Sequence, residues 1–290
     1  MKMIFAALVA ASLLAAPAQA APALWEARDA DSRILLFGSV HLLPADFDWR
    51  TPAFDAAVKA SEQVYFETDI GPRGVAALTL KMMVAAFQSA ANPWLDRLTD
   101  QQLARLIDAL EPIGMSADEA GRMAPWIVSM QIAQSQMTAD NNHDAGDYDF
   151  NTGVEWTLQW ELPPERKGYL ETPGQQFDLL AQGTIDEQIE QLLASLDQAS
   201  GTESIDAMVD AWAAGDVEAI AKVILPNNEL EAEGVKLLLT DRNRNWIPTL
   251  ERLLAENRED LIVVGAAHLA GEDSVLDLLQ HAGYTINRLQ

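Results

Sequence analysis

An apolar run followed by Gly-x-x-His-Leu occurs twice, as ILLFGSVHL at residues 34–42 and as LIVVGAAHL at residues 261–269, near opposite ends of a 290-residue chain. An unbroken apolar run of this length, bounded by glycine, reads as a strand covered on both faces. One sheet must therefore draw its strands from both ends of the chain. Near the start, LWEARDADSRILLFGS reads as a hairpin, with Leu24–Arg28 paired to residues 33–38 across a turn at residues 29–32. QVYFET and KGYLET read as short strands. At the end, DLIVVGAAH reads as a buried strand, SVLDLLQHAG as a helix stopped by Gly283, and YTINRL as a closing strand.

Between these strands the apolar spacing is helical. One block runs from about 72 to 162, broken by Pro112 and Gly114, and a second from about 173 to 257. Thr99 with Gln102 three residues on is a helix-start pair, and MTADNNHDAGDYDFNTG reads as a polar loop before a helix in GVEWTLQWEL. The expected fold class is α/β (α+β): one mixed β-sheet core built from both ends of the chain, with large helical insertions, in a single domain over 21–290.

Residues 1–20 carry one lysine, an apolar stretch and a small-residue end at Ala18-Gln19-Ala20. This is the pattern of a secretory signal peptide cleaved before Ala21, and the apolar stretch is short for a membrane span. The expectation is a periplasmic or secreted protein with no membrane span after cleavage. The sequence has no cysteine, which removes thiol nucleophiles and thiolate ligands. Any metal must be held by histidine, carboxylate and water, which suits Mn, Co, Zn or Fe. A net charge of −25 argues against nucleic acid as a partner.

Two further patterns echo each other: Tyr65-Phe66-Glu67-Thr68 and Tyr169-Leu170-Glu171-Thr172. Each of the four patterns sets a histidine or glutamate at the C-terminal end of a strand, the edge where open α/β sheets bind ligands. His41, His268, Glu67 and Glu171 would then share one rim. Imidazole and carboxylate together ligate divalent ions, and a carboxylate left over can act as a general base. Glycine three residues before each histidine permits a sharp turn or a close backbone approach. In a chain poor in cations, Arg242 stands out in TDRNRNWIP, where it could hold a substrate carboxylate or fix a catalytic glutamate. Glu155 is a possible extra ligand. His143 reads as a surface residue and His281 as a helix-end cation.

Taken in order, Gly38-Ser39-Val40-His41, Glu67-Thr68-Asp69, Leu170-Glu171-Thr172 with Gln175, Arg242-Asn243 with Trp246, and VVGAAHLAG ahead of VLDLLQHAGYTINRL resemble the TraB/GumN family, which includes the Tiki-type metal-dependent proteases. The first motif has Ser-Val where Thr-Ile is common. The resemblance implies that His41 and His268 are the paired histidines and that Glu67 is the leading metal or catalytic carboxylate. Glu171 and Arg242 fall on further motif positions. The function expected is an exported metal-dependent hydrolase, a peptidase, with His41, His268 and Glu67 holding the ion or its water. Glu171 would be ligand or base, and Arg242 would orient a peptide or small-molecule substrate or stabilise an oxyanion. A metal-free, esterase-like hydrolase and a non-catalytic binding protein use the same rim in the alternative readings. The lack of a Gly-x-Ser-x-Gly elbow argues against a serine nucleophile.

Overall fold

The computed structural model describes residues 20–90, 93–139, 148–197, 202–225 and 229–290. The proposed signal peptide up to residue 19 and the loop carrying His143 lie outside the described residues. The strands are β1 (Leu24–Arg28), β2 (Arg33–Ser39), β3 (Leu43–Pro44), β4 (Val64–Phe66), β5 (Tyr148–Asp149), β6 (Lys167–Tyr169), β7 (Asp260–Gly265) and β8 (Thr285–Arg288). Six of them form one mixed sheet in the order β6-β4-β7-β2-β1-β8. β6, β4, β7 and β2 run parallel, and β1 is antiparallel to both β2 and β8. The fold is therefore mixed α/β, with strands from both ends in one sheet, as the two apolar runs require.

Helices fill the intervals. They are α1 (Pro52–Ala60), α2 (Pro72–Ala90), α3 (Asp100–Leu110), α4 (Ala117–Gly121), α5 (Pro125–Ala139), α6 (Val154–Glu161), α7 (Pro173–Leu180), α8 (Ile185–Asp197), α9 (Thr202–Ala213), α10 (Val217–Val223), α11 (Glu229–Val235), α12 (Asp241–Ala255) and α13 (Val275–His281). Local chemistry sets many of the ends. Thr99 and Gln102 form a reciprocal capping box at the start of α3, and Gly114 takes the left-handed conformation (φ 66°) after Pro112. Gly283 does the same after α13, at φ 101°. Among the described residues, no helix is long and apolar enough to cross a membrane.

Alternation along the central strands splits the core into two layers. Leu35, Phe37, Val64, Phe66, Leu261 and Val263 face one layer, with Phe54 of α1, Leu158 of α6 and Trp212 of α9. Ile34, Leu36, Tyr65, Ile262 and Val264 face the other, against Leu250 and Leu253 of α12 and Leu279 of α13. Strands covered on both faces need apolar residues at every position, which is why these segments show no polar alternation. A separate helical core gathers Trp94, Leu106, Val128 and Leu192.

Two features depart from the polar-loop reading of residues 137–153. α5 extends to Ala139, and Tyr148–Asp149 pairs with Leu43–Pro44 as a small second sheet. The pairing was invisible in sequence because each partner strand is two residues long.

Trp212 joins the helical cover to the sheet. It is 1% exposed, its ring lies 6.4 Å from that of Phe37, and its indole N–H donates to the Gly38 carbonyl at 2.7 Å. Trp212→Ala should cost about 3–5 kcal/mol of stability through cavity formation, measured by urea unfolding followed by circular dichroism.

Candidate functional site

The four adjacent parallel strands end on one edge, and each delivers its group there. Glu67 follows β4, Glu171 lies just beyond β6, His41 lies two residues past β2, and His268 sits in a short 3-10 turn after β7. Backbone pairing extends past β4 and β6, since Glu171 N donates to Glu67 O at 2.8 Å. The two Gly-x-x-His glycines serve close approach and not a turn, as neither has a positive φ. A Cβ on Gly38 would meet Ala266 Cα at 3.1 Å, and one on Gly265 would meet Glu67 Oε1 at 3.2 Å.

Arg242, in the first turn of α12, ties three of these strand ends together. Its Nε donates to Glu171 Oε1 at 3.0 Å, and its Nη2 donates to Glu171 Oε2 at 3.1 Å and to Glu67 Oε2 at 2.5 Å. Nη1 donates to the Leu238 carbonyl at 3.2 Å and to His268 Nε2, also at 3.2 Å. All five guanidinium protons have acceptors within the protein. The oxyanion or substrate role expected of Arg242 therefore has no N–H to work with in this arrangement, and the geometry is that of a group fixing a glutamate. Glu171 is equally engaged. Its Oε1 also accepts the Trp246 indole N–H at 2.9 Å, and the Arg242 guanidinium lies 4.9 Å from the Trp246 ring centre.

Arginine can only donate, so His268 Nε2 is an acceptor and the ring proton sits on Nδ1, which donates to Asn243 Oδ1 at 2.6 Å. Asn243 Nδ2 in turn donates to the Asp273 carbonyl at 2.9 Å, which fixes the amide. Burial, with Arg242 adjacent, pushes the His268 pKa down to about 4, against the opposing pull of Glu67. His268 is thus a neutral imidazole 3.5 Å from Glu67 Oε1, with both ring nitrogens occupied.

Glu67 is buried, which alone would raise its pKa, yet the surrounding positive groups bring it down to about 2. His268, protonated at the low pH where Glu67 titrates, is the largest lowering cause, followed by Arg242 and His41. The Gly265 N–H adds a 2.7 Å hydrogen bond to Oε1. Glu67 is an anion at every physiological pH.

The fifth member comes from a helix. Glu155, in the first turn of α6, is buried and reaches His41, whose Nδ1 lies 3.0 Å from Glu155 Oε1. Ser39 Oγ donates to the same oxygen. Glu155 raises the His41 pKa, an attraction that water moderates because the His41 side chain is 59% exposed. Ligand atoms of His41, Glu67 and Glu155 all lie within 4.8 Å of one another, a group that could hold a metal ion. Glu155 Oε2 is buried with no hydrogen-bond partner. An orphan oxygen on a carboxylate grouped with a histidine and a second carboxylate fits a hard divalent cation.

Glu155 reaches the rim because Gly153 lets α6 start against the β2 exit. Val154 N donates to the Val40 carbonyl at 3.1 Å, and a Cβ on Gly153 would sit 2.1 Å from the His41 carbonyl oxygen. The sequence signal was a glutamate in the first turn of a tryptophan-rich helix that begins directly after that glycine. His281, on α13, is exposed, with Nδ1 3.0 Å from the Asp277 carbonyl.

An α/β sheet that collects histidine and glutamate at the ends of four parallel strands, braced by one arginine, defines a rim-site protein with a candidate metal centre. The TraB/PrgY/gumN family model matches residues 23–288, and the chain belongs to that family. No curated protein and no solved structure matches it.

Arg242→Met should leave the buried Glu67 and the partly buried Glu171 without their cation. The expected loss is about 3–5 kcal/mol of stability at pH 7, read by guanidinium unfolding. The Arg242→Lys variant should recover part of it, keeping the charge but not the five-donor fork.

Proposed function

We propose that the chain is an exported metal-dependent hydrolase that acts on peptide bonds, with His41, Glu67 and Glu155 holding a divalent ion of the Mn, Co, Zn or Fe class. The observation that supports this most is the buried, unpartnered Glu155 Oε2 beside His41 and Glu67. Glu155 takes the ligand place that the sequence reading gave to His268. When bound, the ion would supply Lewis-acid polarisation of a carbonyl and a water of lowered pKa. The other groups act through position. Arg242 holds the Glu67 carboxylate in place from one side and the Gly265 N–H from the other. His268, neutral, closes the apolar side of Glu67 with the Trp246 ring 4.5 Å behind it. The Glu171 carboxylate acts on Glu67 through the shared guanidinium, beside the backbone hydrogen bond from Glu171 N to Glu67 O. The choice of a peptide bond rests on the motif resemblance to Tiki-type proteins, and export rests on residues 1–20.

One observation favours a second reading. His41 and Glu155, 3.0 Å apart with the ring exposed, have the geometry of a general-base pair, which would suit metal-free hydrolysis.

Calorimetric titration with Mn2+ and Zn2+ is expected to show one ion per chain. Glu155→Gln and His41→Ala should each weaken binding by a factor on the order of a hundred, and a chelator should stop digestion of a peptide library. Glu67→Gln should lower turnover by about 10²-fold or more. Cleavage that survives the chelator but is lost in His41→Ala would favour the metal-free pair. No ion bound at millimolar concentration would refute the metal reading.

A further inference from the structure

A groove of about 650 Å3 runs between α5, α8 and the segment leading into α12. It reaches the catalytic rim at Leu238 and Asp241: the Leu238 carbonyl accepts from Arg242, and Asp241 directly precedes Arg242 in the chain. The π-helical segment Lys236–Thr240 carries this wall. The groove belongs to the helical insertions and contains none of the groups that bind Glu67 or His41.

Its lining has two chemistries. Trp126, Met130, Leu180 and Leu238 supply apolar surface, and Met130 and Leu238 are 49% and 39% exposed. Glu187, Glu190, Glu233 and Asp241 add four carboxylates, against one cation, Lys236, which is 3.3 Å from Asp241. In addition, Gln188 lines the groove and is 5% exposed. Its amide nitrogen faces the carbonyls of Ala181, Gln182 and Gly183 at 3.2, 3.3 and 3.3 Å, which fixes the flip of the amide. The Gln188 Oε1 atom is then a buried acceptor with no donor. A buried, unpaired acceptor is costly, and a polar hydrogen from water or from a ligand N–H in the groove would complete it.

We propose that this groove is the substrate-binding channel, and that it takes an extended polypeptide segment bearing apolar and basic side chains, with a ligand N–H on Gln188 Oε1. The apolar floor takes Leu- or Phe-like side chains. The carboxylates select lysine and arginine over acidic residues, and a free backbone N–H supplies the missing donor. This rests on the hydrolase reading for the fate of the bound segment, but the binding itself does not require the ion.

The test is fluorescence anisotropy on the Glu67→Gln chain in the presence of a chelator, so that nothing is cleaved. The probes are two labelled ten-residue peptides, one of alternating leucine and lysine and one of alternating leucine and glutamate. The Lys peptide should bind and the Glu peptide should not. Binding of the Lys peptide should weaken at least about tenfold in the Glu190→Lys/Glu233→Lys double variant, in Met130→Glu and in Gln188→Leu, where a tenfold change corresponds to about 1.4 kcal/mol. Glu190, Glu233 and Met130 are exposed, so these variants should unfold at the parent temperature, checked by circular dichroism. Equal binding of both peptides, no binding of the Lys peptide, or binding unchanged in folded Met130→Glu and in the double variant would each overturn the channel. If the channel fails while the ion titrates and peptides are cleaved, the hydrolase reading stands. If the Lys peptide binds as described but no ion does, the metal-dependent reading falls and the channel remains.

Discussion

Everything at the rim depends on the five N–H donors of Arg242, all of them engaged. This guanidinium is the permanent positive charge in contact with both Glu67 and Glu171, and it sets the tautomer of His268 by leaving Nε2 no role but acceptor. Burying carboxylates is unfavourable unless each is paired and hydrogen-bonded. Arg242 meets that condition for two of them at once, with Trp246 and Gly265 completing their shells. Because its acceptors follow β4, β6 and β7, the same group fixes the ends of three strands. A site that must hold a charged glutamate steady inside a protein of net charge −25 needs such a brace.

The division of labour around Glu67 follows from solvent access. On one side the groups are fully partnered: Arg242, His268 and Asn243, all buried, and Glu171, partly buried. On the other, His41 is exposed and Glu155 keeps one oxygen without a partner. Chemistry needs groups with unused capacity, and among these residues that capacity lies on the His41–Glu155 side. The buried side contributes geometry. Glu67 belongs to both, since it accepts from Arg242 and Gly265 while its ligand atom lies within reach of His41 and Glu155.

Much of this could be read in the sequence, for identifiable reasons. The sheet strands were legible because burial on both faces demands continuous apolar runs, as in residues 34–37 and 261–264. The rim was legible because four such strands end in His or Glu. Glu155 carried little sequence signal. Its place depends on α6 docking against the β2 exit through the bare backbone of Gly153, a contact between segments more than a hundred positions apart. The role of Arg242 was legible only as a pair of alternatives, because whether its donors are free depends on how many acceptors the fold brings to it. The two Tyr-x-Glu-Thr patterns also differ in use: Thr172 caps α7 through Gln175, whereas the Thr68 hydroxyl is buried without a partner.

The central claim is that His41, Glu67 and Glu155 form one divalent-ion site beside the Arg242 brace. Crystals of the chain grown with Zn2+ and measured at the zinc edge test it directly. The account predicts one anomalous peak coordinated by His41, Glu67 and Glu155, with ligand bonds of about 2 Å and Arg242 still holding Glu67 and Glu171. A peak elsewhere with these three residues unmoved, or none at saturating Zn2+, would contradict it.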